Sequence, residues 1–225
     1  GGHGGGTGPT GPAPTITWSG TPGDGDGFTS VGLPAIAADG SQVLVADIAE
    51  DGARGNPNLA LVIHDRADRE AARRVVLAAD LPDDQDPTLI AAPDVTDDNA
   101  WLAEQHQRAG WRPLTATEVK SDGDSLLDAA HWTAAAGEVA LTFDDTGHLV
   151  ITAGGATVVD RTMTAWLAPG GPMYPGAGPD EQCSNPIALT EAYVDAGHKL
   201  ALVRVRFRGT DTCWEPDGAF HVVAW

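Results

Sequence analysis

Val203, Val205 and Phe207 alternate with Arg204, Arg206 and Arg208 near the end of the chain. That is the two-residue period of a strand with one buried and one solvated face. Residues 220–225 repeat it, with Phe220, Val222 and Ala224 on one side and His221, Val223 and Trp225 on the other. Both runs are rich in β-branched and aromatic residues. Pro216, Asp217 and Gly218 supply turn chemistry before the second run. An antiparallel ribbon closed by the loop 209–218 is the expectation.

The two cysteines pin this region. Cys183 lies in the polar run 180–186 and Cys213 in the ribbon loop, whereas structural free thiols usually sit in apolar runs. A Cys183–Cys213 disulfide is expected, closing a ring of about 30 residues and contributing roughly 3–4 kcal/mol. It implies an oxidising compartment.

The pattern elsewhere predicts a fold of the α+β class, mainly β, built from antiparallel meanders with one amphipathic helix. Strands at 43–48, 59–64 and 74–78 form one meander. Asp144, Asp145, Thr146 and Gly147 form a tight hairpin loop between strands at 138–143 and 148–152, and Gly154-Gly155 turns into a further strand at 156–160. Residues 97–109 read as a helix, with Thr96 or Asp97 capping its start and Gly110 stopping it. Trp101, Leu102, Gln105 and Ala109 share the face expected to lie on the sheet. Residues 115–130 read as a polar crossing and 168–186 as a Gly/Pro-rich surface loop.

Residues 1–18, rich in Gly, Pro and Thr, read as a tether or assembly tail, with Ile16 and Trp18 able to make a short strand. Residues 19–225 then form a single β-rich domain, with halves at 28–115 and 137–225. The tail suits self-association by strand addition to a neighbouring copy. Its composition resembles the tether of mature bacterial lipoproteins. That resemblance implies export to the cell surface, the periplasm or the extracellular medium. The segment around Asp39-Gly40 and the one around Ala196-Gly197 both lead into a strand, a loop and a second strand. Each resembles a blade unit of secreted β-propellers of the TolB type. A closed propeller needs at least four such blades, so a duplicated β unit is expected instead.

Acidic residues number 32 against 13 basic, a formal charge of −19. Such a surface repels phosphate backbones, so nucleic acid is not an expected partner. No run approaches the roughly 20 apolar residues of a membrane span.

Gly123-Asp124-Ser125-Leu126, followed by Asp128-Ala129-Ala130-His131, resembles the two signature blocks of the GDSL esterase/lipase family. The resemblance implies Ser125 as nucleophile and His131 as base. In that family the blocks lie at opposite ends of the domain and meet by folding; here they adjoin. A serine hydrolase is therefore the alternative and not the main reading. No cofactor motif is present. Calcium could be held by Asp122, Asp124 and Asp128 or by Asp83, Asp84 and Asp86, as in an adhesion module. Copper or nickel could be held by Gly1, Gly2 and His3, since a terminal amine and a third-position His favour a square-planar set. Arg204, Arg206 and Arg208 could dock an acidic ligand or cover an open sheet face while pairing with cross-strand carboxylates. The reading that results is an exported, non-enzymatic surface or extracellular protein, acting as a binding or structural subunit.

Overall fold

The computed structural model describes residues 11–20, 22, 27–48, 58–78, 86, 90–124, 128–162, 187–207 and 218–225. Among these the fold is mainly β with a single helix. Strands β1 (Thr15–Trp18) and β2 (Phe28–Val31) make a ribbon. The first sheet comprises β3 (Ala35–Ile36), β4 (Gln42–Asp47), β5 (Leu59–Asp65), β6 (Glu70–Leu77) and β7 (Arg112–Pro113), in the order β6-β5-β4-β3-β7. Helix α1 (Thr96–Ala109) precedes β7. The second sheet takes β8 (Ala116–Thr117), β14 (Ile187–Asp195), β15 (Leu200–Phe207) and β16 (Gly218–Ala224), in the order β16-β15-β14-β8. The third runs from β9 (Val119–Ser121) through β10 (His131–Ala136), β11 (Val139–Asp144) and β12 (His148–Ala153) to β13 (Ala156–Thr162). Each pairing is antiparallel.

Three apolar layers join these parts. Leu102 and Trp111 pack with Ile16 on Leu44, Leu59, Leu61 and Ile63 of the first sheet. The opposite face of that sheet sets Val43, Val45, Ala60 and Val62 against Leu200, Leu202, Phe220 and Val222. The second sheet's far side puts Ala201, Val203 and Val205 against Trp132, Leu141, Phe143 and Ile151 of the third. Strand β15 is therefore covered on both faces. Its run from Leu200 to Val203 is wholly buried, as continuous apolar strands are, and each such aliphatic side chain contributes roughly 1.5–3 kcal/mol. Truncating Leu202 to Ala would remove about 2–5 kcal/mol.

Local chemistry explains the turns. The Asp144 carboxylate accepts bonds from the Thr146 and His148 N–H groups and from the Thr146 hydroxyl, which fixes the β11–β12 hairpin. A register shift between Leu189 and Glu191 marks a bulge in β14. The bulge puts both Leu189 and Ala192 on the face toward the third sheet.

Several expectations need correction. The strand face carrying Arg204 is not open, because the first sheet lies over it. Helix α1 buries Asp98, Leu102 and His106, with Trp101 only partly buried. Polar groups occupy that inner face because Arg74 pairs with Asp98 and the His106 Nε2 lies 3.1 Å from the Gly11 carbonyl. The N-cap is Val95, with no side-chain cap bond; Asp94 instead accepts the Thr96 N–H and hydroxyl. Gly110 does close the helix, in the left-handed region at φ 61° and ψ 49°. The crossing 115–130 contributes β8 and β9. Residues 15–18 of the expected tail are part of the fold: Ile16 is fully buried and exchanges backbone bonds with the Asn99 amide. The first sheet uses 35–113 and the other two 116–224, which places the two expected halves on a shared apolar layer.

Candidate functional site

Strands β4 and β15 lie in adjacent sheets, and each is entered by one of the two similar turns. The turns touch. Arg66 Nη1 donates to the carbonyls of His198 (2.8 Å) and Gly40 (3.2 Å), and its Nη2 to that of Lys199 (3.4 Å). Arg112 reaches Asp195 and the His198 Nδ1. Gly40 has φ 72°, and a Cβ there would lie 2.7 Å from His198 Cβ. This end of the seam between the first and second sheets is closed by paired charges and by a glycine that both its left-handed φ and the His198 ring require.

The other end of the seam is open. Because β3 pairs only with Val43 and Leu44, the β4 edge beyond them has no strand partner there among the described residues. Arg204 Nη2 donates to the Ile48 carbonyl at 2.9 Å, supplying one bond that a strand would have made. Beside it is a cleft of about 220 Å³ walled by Phe28, Leu33, Pro34, Ile48, Tyr193 and Phe220, with Glu191 and Arg204 in its lining. The Arg204 guanidinium lies 5.6 Å from the Phe220 ring centroid. Glu191, its cross-strand partner, stands 3.6 Å from Nη1, beyond good hydrogen-bond reach. The Glu191 carboxylate accepts the Tyr193 hydroxyl at 2.7 Å. Burial, then that bond, push the Tyr193 phenol well above its ordinary value. The Arg204 Nε is buried and has no hydrogen-bond partner.

A second cleft of about 220 Å³ shares Phe220 as a wall and is lined by Asp47, His64, Asp68, Arg73 and His221. Asp68, at φ 63° in the β5–β6 turn, reaches across to the edge of β16 that pairs with no described strand. Its carboxylate accepts the Val222 N–H at 2.6 Å and lies 2.6 Å from His221 Nδ1. Covering an edge in this way blocks stray strand pairing. Burial holds the His64 imidazole below its ordinary range, with Asp68 pulling the other way. Burial also raises the Asp47 carboxyl above the usual carboxylate range, against the opposing fields of Arg204 and Arg73.

Arg204 thus belongs to a cleft, and Arg206, half-buried, neighbours it in the register opposite Gly218. Arg208, Ser125, Cys183 and Cys213 lie outside the described residues, as do Gly1, Gly2, His3, Asp83 and Asp84. His131 is bonded to Asp122, Nδ1 to Oδ2 at 2.7 Å, on an exposed face. That bond, with backbone N–H groups of Ala130 and His131, holds the Asp122 carboxyl at about 2 and raises the His131 imidazole. Among the described residues no group of three or more His, Cys, Asp or Glu side chains is placed to hold a metal ion. No described helix is long and apolar enough to cross a membrane.

Sequence reading missed His64, Asp68 and His221 as a group, since 153 positions separate Asp68 from His221. The one local signal was the i, i+4 spacing of His64 and Asp68 around a turn. His148 and His198 are also engaged, with Asp160 and with Arg112 and Asp195.

Compared with protein-family models, curated proteins and solved structures, the chain matches none of them.

Proposed function

We propose that the protein is an exported, non-enzymatic binding protein whose open seam takes an acceptor-bearing group, such as a carboxylate on an apolar or aromatic body. The arrangement around Arg204 carries the reading. One guanidinium arm is spent on Ile48, Glu191 is too far for a good bond, and donors remain beside three aromatic walls. A guanidinium offers five donors in a fork that suits a carboxylate. The phenol of Tyr193 is tied to Glu191 and its pKa is raised, which suits a lining group better than a proton acceptor. Export is supported by the tether-like composition of residues 1–18 and by two cysteines in polar runs, read as a Cys183–Cys213 disulfide.

Isothermal titration with N-acetyl-L-phenylalanine and its amide tests the binding reading. The acid should bind, with at least tenfold loss for the amide and for Arg204→Met. Indifference of the affinity to Arg204→Met would sink it.

A further inference from the structure

We infer that the second cleft is a separate site for a small primary ammonium ion. Three observations carry this. First, two buried atoms of its lining residues, Asp47 Oδ1 and His64 Nδ1, have no hydrogen-bond partner. A buried polar atom left unpaired costs roughly 1–3 kcal/mol, so such atoms ordinarily find a donor or a guest. Neither is open to bulk water, and the cleft beside them is the route by which a donor can arrive. The terminal torsion of an aspartate is soft, so a small turn of Asp47 would meet it.

Second, the charges facing the cleft are unevenly spent. Arg73 is forked onto Glu70, with Nε 3.0 and 3.1 Å from the two carboxylate oxygens and Nη2 2.8 Å from one. His221 and the Val222 N–H occupy Asp68. Arg204 acts on Asp47 only through space. Among the described residues, Asp47 is therefore an aspartate whose buried Oδ1 meets no direct donor.

Third, the surroundings suit a cation with several N–H groups. The unpartnered His64 Nδ1 can accept when the ring proton sits on Nε2, a second carboxylate stands 3.8 Å from it at Asp68, and Phe220 forms an aromatic wall of the kind that attracts cations.

The test is a proton–nitrogen chemical-shift titration of the whole chain with methylammonium chloride at neutral pH. Potassium chloride serves as the ionic control and tetramethylammonium as a cation lacking N–H donors. Saturable shifts at Asp47, His64 and His221, at least tenfold weaker with tetramethylammonium, are expected. Asp47→Asn should weaken binding at least fivefold, and Asp122→Asn, on an exposed face outside the cleft lining, should leave it within twofold. Shifts that match potassium chloride, or equal response to tetramethylammonium, would overturn the assignment; both comparisons use the native chain and do not depend on a variant folding.

Discussion

The two ends of the seam between the first and second sheets are built from the same residue types and behave oppositely. At the turn end, Arg66 and Arg112 spend their donors on carbonyls, a carboxylate and an imidazole. At the strand-end side, Arg204, Asp47 and His64 each keep a buried atom without a partner, and two clefts open around Phe220. Since buried polar groups are nearly always satisfied, the contrast separates a place selected for closure from a place with capacity left over.

The largest expected effect lies at the closed end. Gly40→Ala adds a Cβ against His198 and forces a left-handed φ, and should cost about 2–4 kcal/mol in denaturant unfolding. Gly137→Ala is the control: its φ of 60° is similar, but nothing lies within 4 Å of a new Cβ, so only the backbone term of about 1–2 kcal/mol applies. Equal costs for the two would mean that the His198 contact adds nothing. Arg66→Met, which strips bonds from three carbonyls, should cost about 1–3 kcal/mol.

Asp47→Asn, at the open end, should do the reverse and raise stability at neutral pH by up to about 1 kcal/mol. The sign follows from burial. The folded carboxyl has a raised pKa, so its stabilising share is present below the unfolded carboxylate value and fades as pH rises through the folded one. Unfolding curves of the variant should therefore fall less between acid and neutral pH than those of the native chain. A loss of stability on this change would place Asp47 among the structural groups and erase the contrast.

The smallest effect is spectroscopic. The imidazole of His64 should titrate below its ordinary midpoint and that of His131 above it, read from ring-proton shifts. Coincident midpoints would mean that burial at the seam is slight.

Much of the β framework was legible. The meander of β4, β5 and β6, the Asp144–Gly147 turn and the Gly110 stop each carry a local signal strong enough to survive tertiary context. Strand β10 was not read, because alanines fill Ala134, Ala135 and Ala136 and blur the alternation. The inner face of α1 was misjudged because Asp98 and His106 are buried through specific partners, which no hydrophobic period reveals. The closed face over Arg204 had one clue, the unbroken apolar run before it, which signals cover on both sides. The seam cluster was out of reach, since its members come from separate sheets and only folding brings the β5–β6 turn to β16.

Soaking crystals of the native chain in a fragment set of small carboxylates and primary amines tests the contrast most directly. Carboxylates should occupy the cleft beside Arg204 and amines the cleft beside Asp47, with the turn end empty. Fragments gathering at the turn end, or scattered without regard to charge, would contradict the assignment of binding to the open end of the seam.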